Sequence, residues 1–189
     1  MKKRLEALVG LPASQEGRKK KFEEDVETWK AEVERIDKGC VNGEAIWAAP
    51  DFNDAAWKSM KVPGLMQEQD LPGFSGLVWF RKTIDIPAGW AGKDLILNLG
   101  VIDDNDFTYF NGIQIGHTEG WMAPRSYKIP KELVKKGKAV IAVRVMDTGG
   151  TGGINGSPES ISLHLSDTEA IQLAGNWKYQ VSLDMREVA

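Results

Sequence analysis

The chain holds one cysteine, Cys40, and two histidines, His117 and His164, in 189 residues. A single thiol excludes an internal disulfide. One thiol and two imidazoles are too few for a structural zinc site of the usual kind. No histidine or basic cluster adjoins Cys40 in sequence to activate it, so it reads as a partly buried thiol in a connector. Excess charge is small as well, a formal −3, which leaves no electrostatic footprint for nucleic acid. No apolar run approaches the roughly 20 residues that a membrane helix needs. The start is basic, but Glu6 and Gly10 interrupt the short apolar stretch that follows, so it does not read as a secretory signal. Gly-x-Ser-x-Gly, the elbow that presents a serine nucleophile, is missing too. Gly73-Phe74-Ser75-Gly76 comes nearest and lacks the second spacer. No catalytic residue is assigned.

Apolar residues are present in two distinct periods. Phe22, Val26, Trp29, Val33 and Ile36 recur at intervals of four, three, four and three, which places them on one stripe of a helix. Ser14 suits its N-cap and Gly39 its C-terminal stop. Trp29 in the stripe predicts that the helix docks on something large. From Trp57 onward the period falls to about two. Val78-Trp79-Phe80-Arg81-Lys82 opens a long β-rich run. Leu95, Leu97 and Leu99 alternate, as do Ile141, Val143 and Val145, then Ile161, Leu163 and Leu165, then Trp177, Tyr179 and Val181. Asn111-Gly112 between Phe107-Thr108-Tyr109-Phe110 and Ile113-Gln114-Ile115 signals a two-residue hairpin, because both turn positions need positive φ. Pro130 to Val134 suggests a single helical turn. Short strands with Gly, Pro, Asn and Asp between them predict a mostly β chain: an antiparallel jelly-roll sandwich with an N-terminal α-helix. The expected organisation is a helical appendage at 1–40, the sandwich at 41–183 and an exit segment at 184–189 that leads toward a further domain. Both ends look cut from something longer.

Residues able to meet a ligand gather in loops. Trp121, near Arg125, has the best case for exposure among the seven tryptophans, although core packing competes for it. Asp147, Thr148, Gly150, Gly153 and Asn155 belong to a glycine-rich stretch that fits no nucleotide motif. Such a stretch is either mobile or pressed closely against another surface. Asp103, Asp104 and Asp106 are the oxygen donors that a Ca²⁺ would use. Their near-consecutive placement, with no glycine among them, suits a strand-end cap better than a calcium loop. No metal and no cofactor is assigned. His164 sits on the polar face of a strand, and His117 follows Gly116 in a loop.

Several segments together resemble a known domain type. Phe52-Asn53-Asp54 with Trp57, Val62-Pro63-Gly64, Val78-Trp79-Phe80-Arg81-Lys82 and the Asn111-Gly112 hairpin are similar to the jelly-roll sugar-binding domains of family 2 glycoside hydrolases. Leu71-Pro72-Gly73-Phe74-Ser75-Gly76, Ile102-Asp103-Asp104-Asn105-Asp106, Glu119-Gly120-Trp121 and the glycine-rich stretch resemble more specifically the galactose-binding-like domain of bacterial sialate O-acetylesterases. The resemblance covers about residues 53–181. In that group the jelly roll is inserted in an SGNH esterase, whose catalytic serine and histidine lie outside the insert. It therefore implies a non-catalytic, carbohydrate-binding-type module that packs on a flanking SGNH esterase domain of the same polypeptide. An acetylated sugar would be the substrate of the parent, which would be periplasmic or secreted. By analogy, the glycine-rich stretch would reach the neighbouring active site. The alternative is an autonomous lectin-like module that binds glycans through Trp121 and Arg125.

Overall fold

The computed structural model describes residues 16–21, 24, 33 and 35–187. The chain divides into two compact units, residues 1–37 and residues 38–189. In the first, residues 16–21, 24, 33, 35 and 36 are helical. The Asp37 amide donates to the Val33 carbonyl at 3.1 Å, one helical turn back. Phe22, Val26 and Trp29, on which docking of this helix rests, lie outside the described residues.

The second unit contains twelve strands: β1 (Lys58–Val62), β2 (Gly64–Leu65), β3 (Gly76–Ile86), β4 (Leu95–Asp103), β5 (Asn105–Phe110), β6 (Ile113–Thr118), β7 (Pro124–Ile129), β8 (Gly137–Asp147), β9 (Gly153–Asn155), β10 (Ile161–His164), β11 (Ala170–Gln172) and β12 (Gly175–Asp184). One sheet runs β1-β12-β3-β8-β5-β6. The other runs β11-β10-β4-β9-β2, with β7 also paired to β4. Neighbouring strands are antiparallel throughout, as in the long β3–β8 pair that sets Gly76 opposite Asp147 and Ile86 opposite Gly137.

The period-two pattern explains the layering. Val78 and Phe80 of β3 lie opposite Val145 and Val143 of β8, and these face Leu95, Leu97, Leu99, Ile161 and Leu163 of the second sheet in one core. Each such side chain taken fully out of water contributes about 1.5–3 kcal/mol. The intervening residues point to the outer face of the first sheet. There Trp79 and Ala142 join Tyr109, Ala48 and Trp57 in a second apolar cluster, with Trp47, Phe52 and Phe107 packed against it. Arg81 lies on this face and is buried. Its guanidinium donates to Asp54 at 2.9 Å, to the Ala49 carbonyl at 3.2 Å and to the Trp47 carbonyl. The segment before β1 is thereby clamped over the sheet.

The hairpin forms as its sequence predicts. Asn111 and Gly112 have φ of 49° and 83°, and the Asn111 side chain accepts the Val140 amide at 2.8 Å. A 3₁₀ turn occupies Lys131–Leu133. Trp90 is buried in the main core, as expected of a loop tryptophan folded down on the sandwich. The chain leaves β12 through a 3₁₀ turn at Met185–Glu187, tied back by the Met185 amide to the Ser75 carbonyl at 2.9 Å. Among the described residues no helix is long and apolar enough to cross a membrane.

Candidate functional site

Strand pairing brings the chemically interesting loops to one end of the sandwich. Gly76 lies opposite Asp147, Asn105 opposite Met146, Asp106 opposite Thr118 and Asp103 opposite Gly153. The segments 66–75, 103–105, 119–123 and 147–152 consequently form one rim.

Beneath the rim an ion pair joins the two sheets. Asp106 of β5 points into the sandwich and lies opposite Val145 of β8. Arg125 of β7 reaches it from the second sheet, with Nε 2.8 Å from Oδ1 and both side chains fully buried. Burial of a charge is tolerated only when it is paired and hydrogen-bonded, and here every oxygen of Asp106 is occupied. The Tyr127 hydroxyl lies 2.9 Å from each carboxylate oxygen, and the Thr108 hydroxyl donates to Oδ2 at 2.7 Å. Burial, followed by the neighbouring Asp106 charge, holds the Tyr127 phenol well above its ordinary value. The rest of the Arg125 guanidinium donates to the carbonyls of Gly120, Ala123, Asp104 and Thr118 at 2.7, 2.5, 2.9 and 3.3 Å. The loop after β6 is thus wrapped around one cation. Asn105 adds a further tie by accepting the Gly120 amide at 3.0 Å. This fixed loop presents two large apolar side chains to solvent, Trp121 at 60% and Met122 at 68% exposure, beside an exposed Glu119.

Three carboxylates lie beside this loop. Burial raises the Asp103 carboxyl to about 6, helped by the hydrogen bond it donates to Asp104 when protonated and by the charges of Asp104 and Asp147, and opposed by Arg125. For Asp104, burial pushes upward, but the hydroxyl and amide of Thr148 outweigh it and hold the group below the usual carboxylate range. Those two donors reach Asp104 Oδ2 at 2.5 and 2.9 Å. Asp147 is fully buried, and desolvation raises its pKa against donors from Gly149 and Gln67. The Gly149 amide donates to its Oδ1 at 2.9 Å, and Gln67 Nε2 to its Oδ2 at 2.6 Å. The same Gln67 accepts the Gly152 amide at 2.8 Å.

These bonds decide what each expected site residue can do. Trp121 is exposed and not packed in the core that competed for it in the sequence reading. Arg125 is a structural hub whose donors are spent on protein, so it offers nothing to a ligand. Asp106 is likewise consumed, its carboxylate taken up by Arg125, Tyr127 and Thr108. Among the described residues no group of three or more His, Cys, Asp or Glu side chains is arranged to hold a metal ion. Thr148 and Gly150 are exposed, whereas Asp147 and Gly153 are buried and Asn155 is half-buried. The glycine-rich stretch is pressed down: its second half is β9, and Gly153 lies opposite Leu65 of β2. A Cβ at Gly153 would lie 2.5 Å from the Gly64 carbonyl, whereas Gly150 has open space around it. The adaptable part is therefore the tip, Thr148 to Thr151.

Two histidines lie in strands. His117 belongs to β6 rather than to a loop. It stacks on Phe107 at 4.1 Å, with Nδ1 2.7 Å from the Asp106 carbonyl. His164 Nε2 lies 2.8 Å from the Ser162 hydroxyl, a serine–histidine contact that the sequence reading missed. The spacing of two residues on one strand face could have shown it. Ser162 is only 1% exposed and its hydroxyl also donates to the Glu159 carbonyl at 3.2 Å, so no substrate reaches it. Gln67 was missed as well; a glutamine in a loop carries no sequence signal of the two partners it bridges. A groove of about 330 Å³ lies elsewhere, between residues 44–50 and the Asn111-Gly112 turn. Its lining is largely apolar, with Glu44 as the one charged side chain.

No protein-family model matches the chain. In fold it is similar to Bacteroides uniformis beta-glucuronidase 2, with a TM-score of 0.52 and 21% identity over 75% of this chain and 16% of that one. It is similar to a glycosyl hydrolase family 2 member from Bacteroides cellulosilyticus, with a TM-score of 0.51 and 20% identity over 75% of this chain and 19% of that one. The chain thus spans less than a fifth of the length of either protein. At this identity the likeness is one of architecture: the sandwich has the fold of a β domain found in family 2 glycoside hydrolases.

Proposed function

We propose that this chain is a non-catalytic, carbohydrate-binding-type accessory module of a sialate O-acetylesterase-like esterase. It packs on a flanking SGNH catalytic domain of the same polypeptide and lends its loop rim to the cleft that holds an acetylated sugar. The observation that carries this is the rim itself: an exposed Trp121, on a loop held rigid by Arg125, beside the Asp103 and Asp104 carboxylates and the glycine tip. An aromatic face and carboxylate acceptors are the groups that pack on a sugar ring and take its hydroxyl hydrogens. They form a wall and not an enclosed pocket, which suits one side of a shared cleft. The likeness in fold to a part of much larger carbohydrate-active enzymes supports the accessory role by analogy. The lectin-like alternative loses one of its two residues, because Arg125 is buried.

The test is kinetic. In the full polypeptide, Trp121→Ala and Asp103→Asn, both on the rim and clear of the Arg125–Asp106 pair, lower kcat/KM for an acetylated sugar at least tenfold. Trp121→Ala leaves the melting of this module within about 0.5 kcal/mol of wild type, as expected of an exposed position, and Asp103→Asn melts no lower than wild type. Undiminished turnover in both variants would reject the reading.

A further inference from the structure

We propose that the rim around Trp121 and Met122 docks on a protein surface that offers an apolar socket edged by lysine or arginine side chains. The inference rests on taking this end as the working end of an accessory module, and it names the chemistry of the neighbour.

Lysine and arginine are unevenly placed along the sandwich. The segments 66–75, 103–105, 117–123 and 147–152 contain no lysine or arginine, although the chain has 24 of them. Arg125, just behind the rim, is neutralised by Asp106 and buried. Arg186 at the chain's exit is engaged by Asp184 at 2.5 Å. Asp103 and Asp104 are the carboxylates of the neighbouring segment, and Glu119, two residues before Trp121, lies 3.7 Å from His117 Nε2. At the opposite end of the sandwich Lys93, Lys128, Lys131, Lys135, Lys136 and Lys138 are all exposed. A surface of one sign selects a partner of the other and speeds its encounter.

Trp121 and Met122 supply the anchor. A contiguous, exposed tryptophan and methionine are unusual on a soluble surface unless used. Their loop is already immobilised by the Arg125 and Asn105 bonds, so docking would cost little further ordering. A carbohydrate is flat, polar and mostly uncharged. It would use the tryptophan face, but it gives no reason for a methionine beside it or for the lack of lysine and arginine in the rim segments.

The probe is a synthetic amphipathic peptide of leucine and lysine, titrated into the ¹⁵N-labelled 189-residue chain. Its leucine–glutamate counterpart and a neutral acetylated xylo-oligosaccharide serve as comparisons. The expected result is saturable shifts at residues 119–122, 103 and 104 and at the Trp121 indole with the lysine peptide only. Affinity should fall about tenfold from 50 to 500 mM salt, as screening removes the rim's attraction. The double variant Trp121→Ala, Met122→Ala loses binding while keeping the parent spectrum elsewhere. Lys135→Gln with Lys136→Gln binds as wild type. The inference is overturned by equal binding of both peptides, by shifts centred on the lysine-rich end, or by no shift at all. Self-association through Trp121, or saturation of that indole by the oligosaccharide at submillimolar concentration, also overturns it. Oligosaccharide binding would still be compatible with the accessory reading. Esterase activity of the isolated chain would defeat that reading and leave the peptide result untouched, so the two failures are distinct.

Discussion

At the scale of residues, the rim is governed by how far each carboxylate is removed from water and what donates to it. Asp103 and Asp104 are neighbours in sequence, yet they are driven in opposite directions. Thr148 gives Asp104 two donors, and Asp103 is left to hold a proton toward it. The consequence for stability has a definite sign. The unfolded chain releases the Asp103 proton near 3.9, and the folded chain only at about 6. Between these values the folded state binds more protons, so this group's contribution is fully present below pH 4 and is lost as pH rises through 6. Asp104 acts the other way, and its contribution fades only below the ordinary carboxylate range. Asp103→Asn keeps a donor toward Asp104 and removes the titration. Its melting temperature is expected to match wild type at pH 4 and exceed it at pH 7.5. Parallel pH profiles for the two proteins would show that Asp103 titrates normally.

At the scale of elements, the glycine-rich stretch separates into a strand and a tip. Gly153, with φ of 138°, sits in β9 against the Gly64 carbonyl. Gly150, with φ of 86°, is in the open. Gly150→Ala pays only for a side chain in the left-handed region, about 1–2 kcal/mol. Gly153→Ala adds a backbone clash and is expected to cost clearly more, as urea unfolding would measure; equal losses would mean that β2 and β9 are not held together as described. Local chemistry made much of this scale legible beforehand. Asn-Gly determines a two-residue turn by itself, and alternation in β4 and β12 announces one buried face, whereas β8 is covered on both. The Gly149 to Gly156 stretch was harder, because β9 is three residues long and its pairing with β2 depends on a partner some ninety positions away. For the same reason Arg125 looked like a ligand residue. Its partner Asp106 lies on the other sheet, and no periodicity reveals which charges meet across a core. Trp121 stood out because a tryptophan between glycine and methionine in a loop has no strand face to bury it.

At the scale of the whole molecule, the sandwich has a rim of carboxylates and an exposed tryptophan at one end and a group of lysines at the other. Its strands serve to hold the rim loops still. Among the described residues nothing assembles a nucleophile, a base and an oxyanion hole. Ser75 and His117 lie in different segments with different partners, and the Ser162–His164 contact is shut inside a strand. On the proposed reading the chain contributes surface and not chemistry. The most direct measurement is release of p-nitrophenol from p-nitrophenyl acetate by the purified chain, alongside Ser75→Ala, His117→Ala, Ser162→Ala and His164→Ala. The expected rate is no greater than that of an inert protein of equal concentration, and it is unchanged in all four variants. Hydrolysis that is lost in any one of them, with the fold intact, would contradict it.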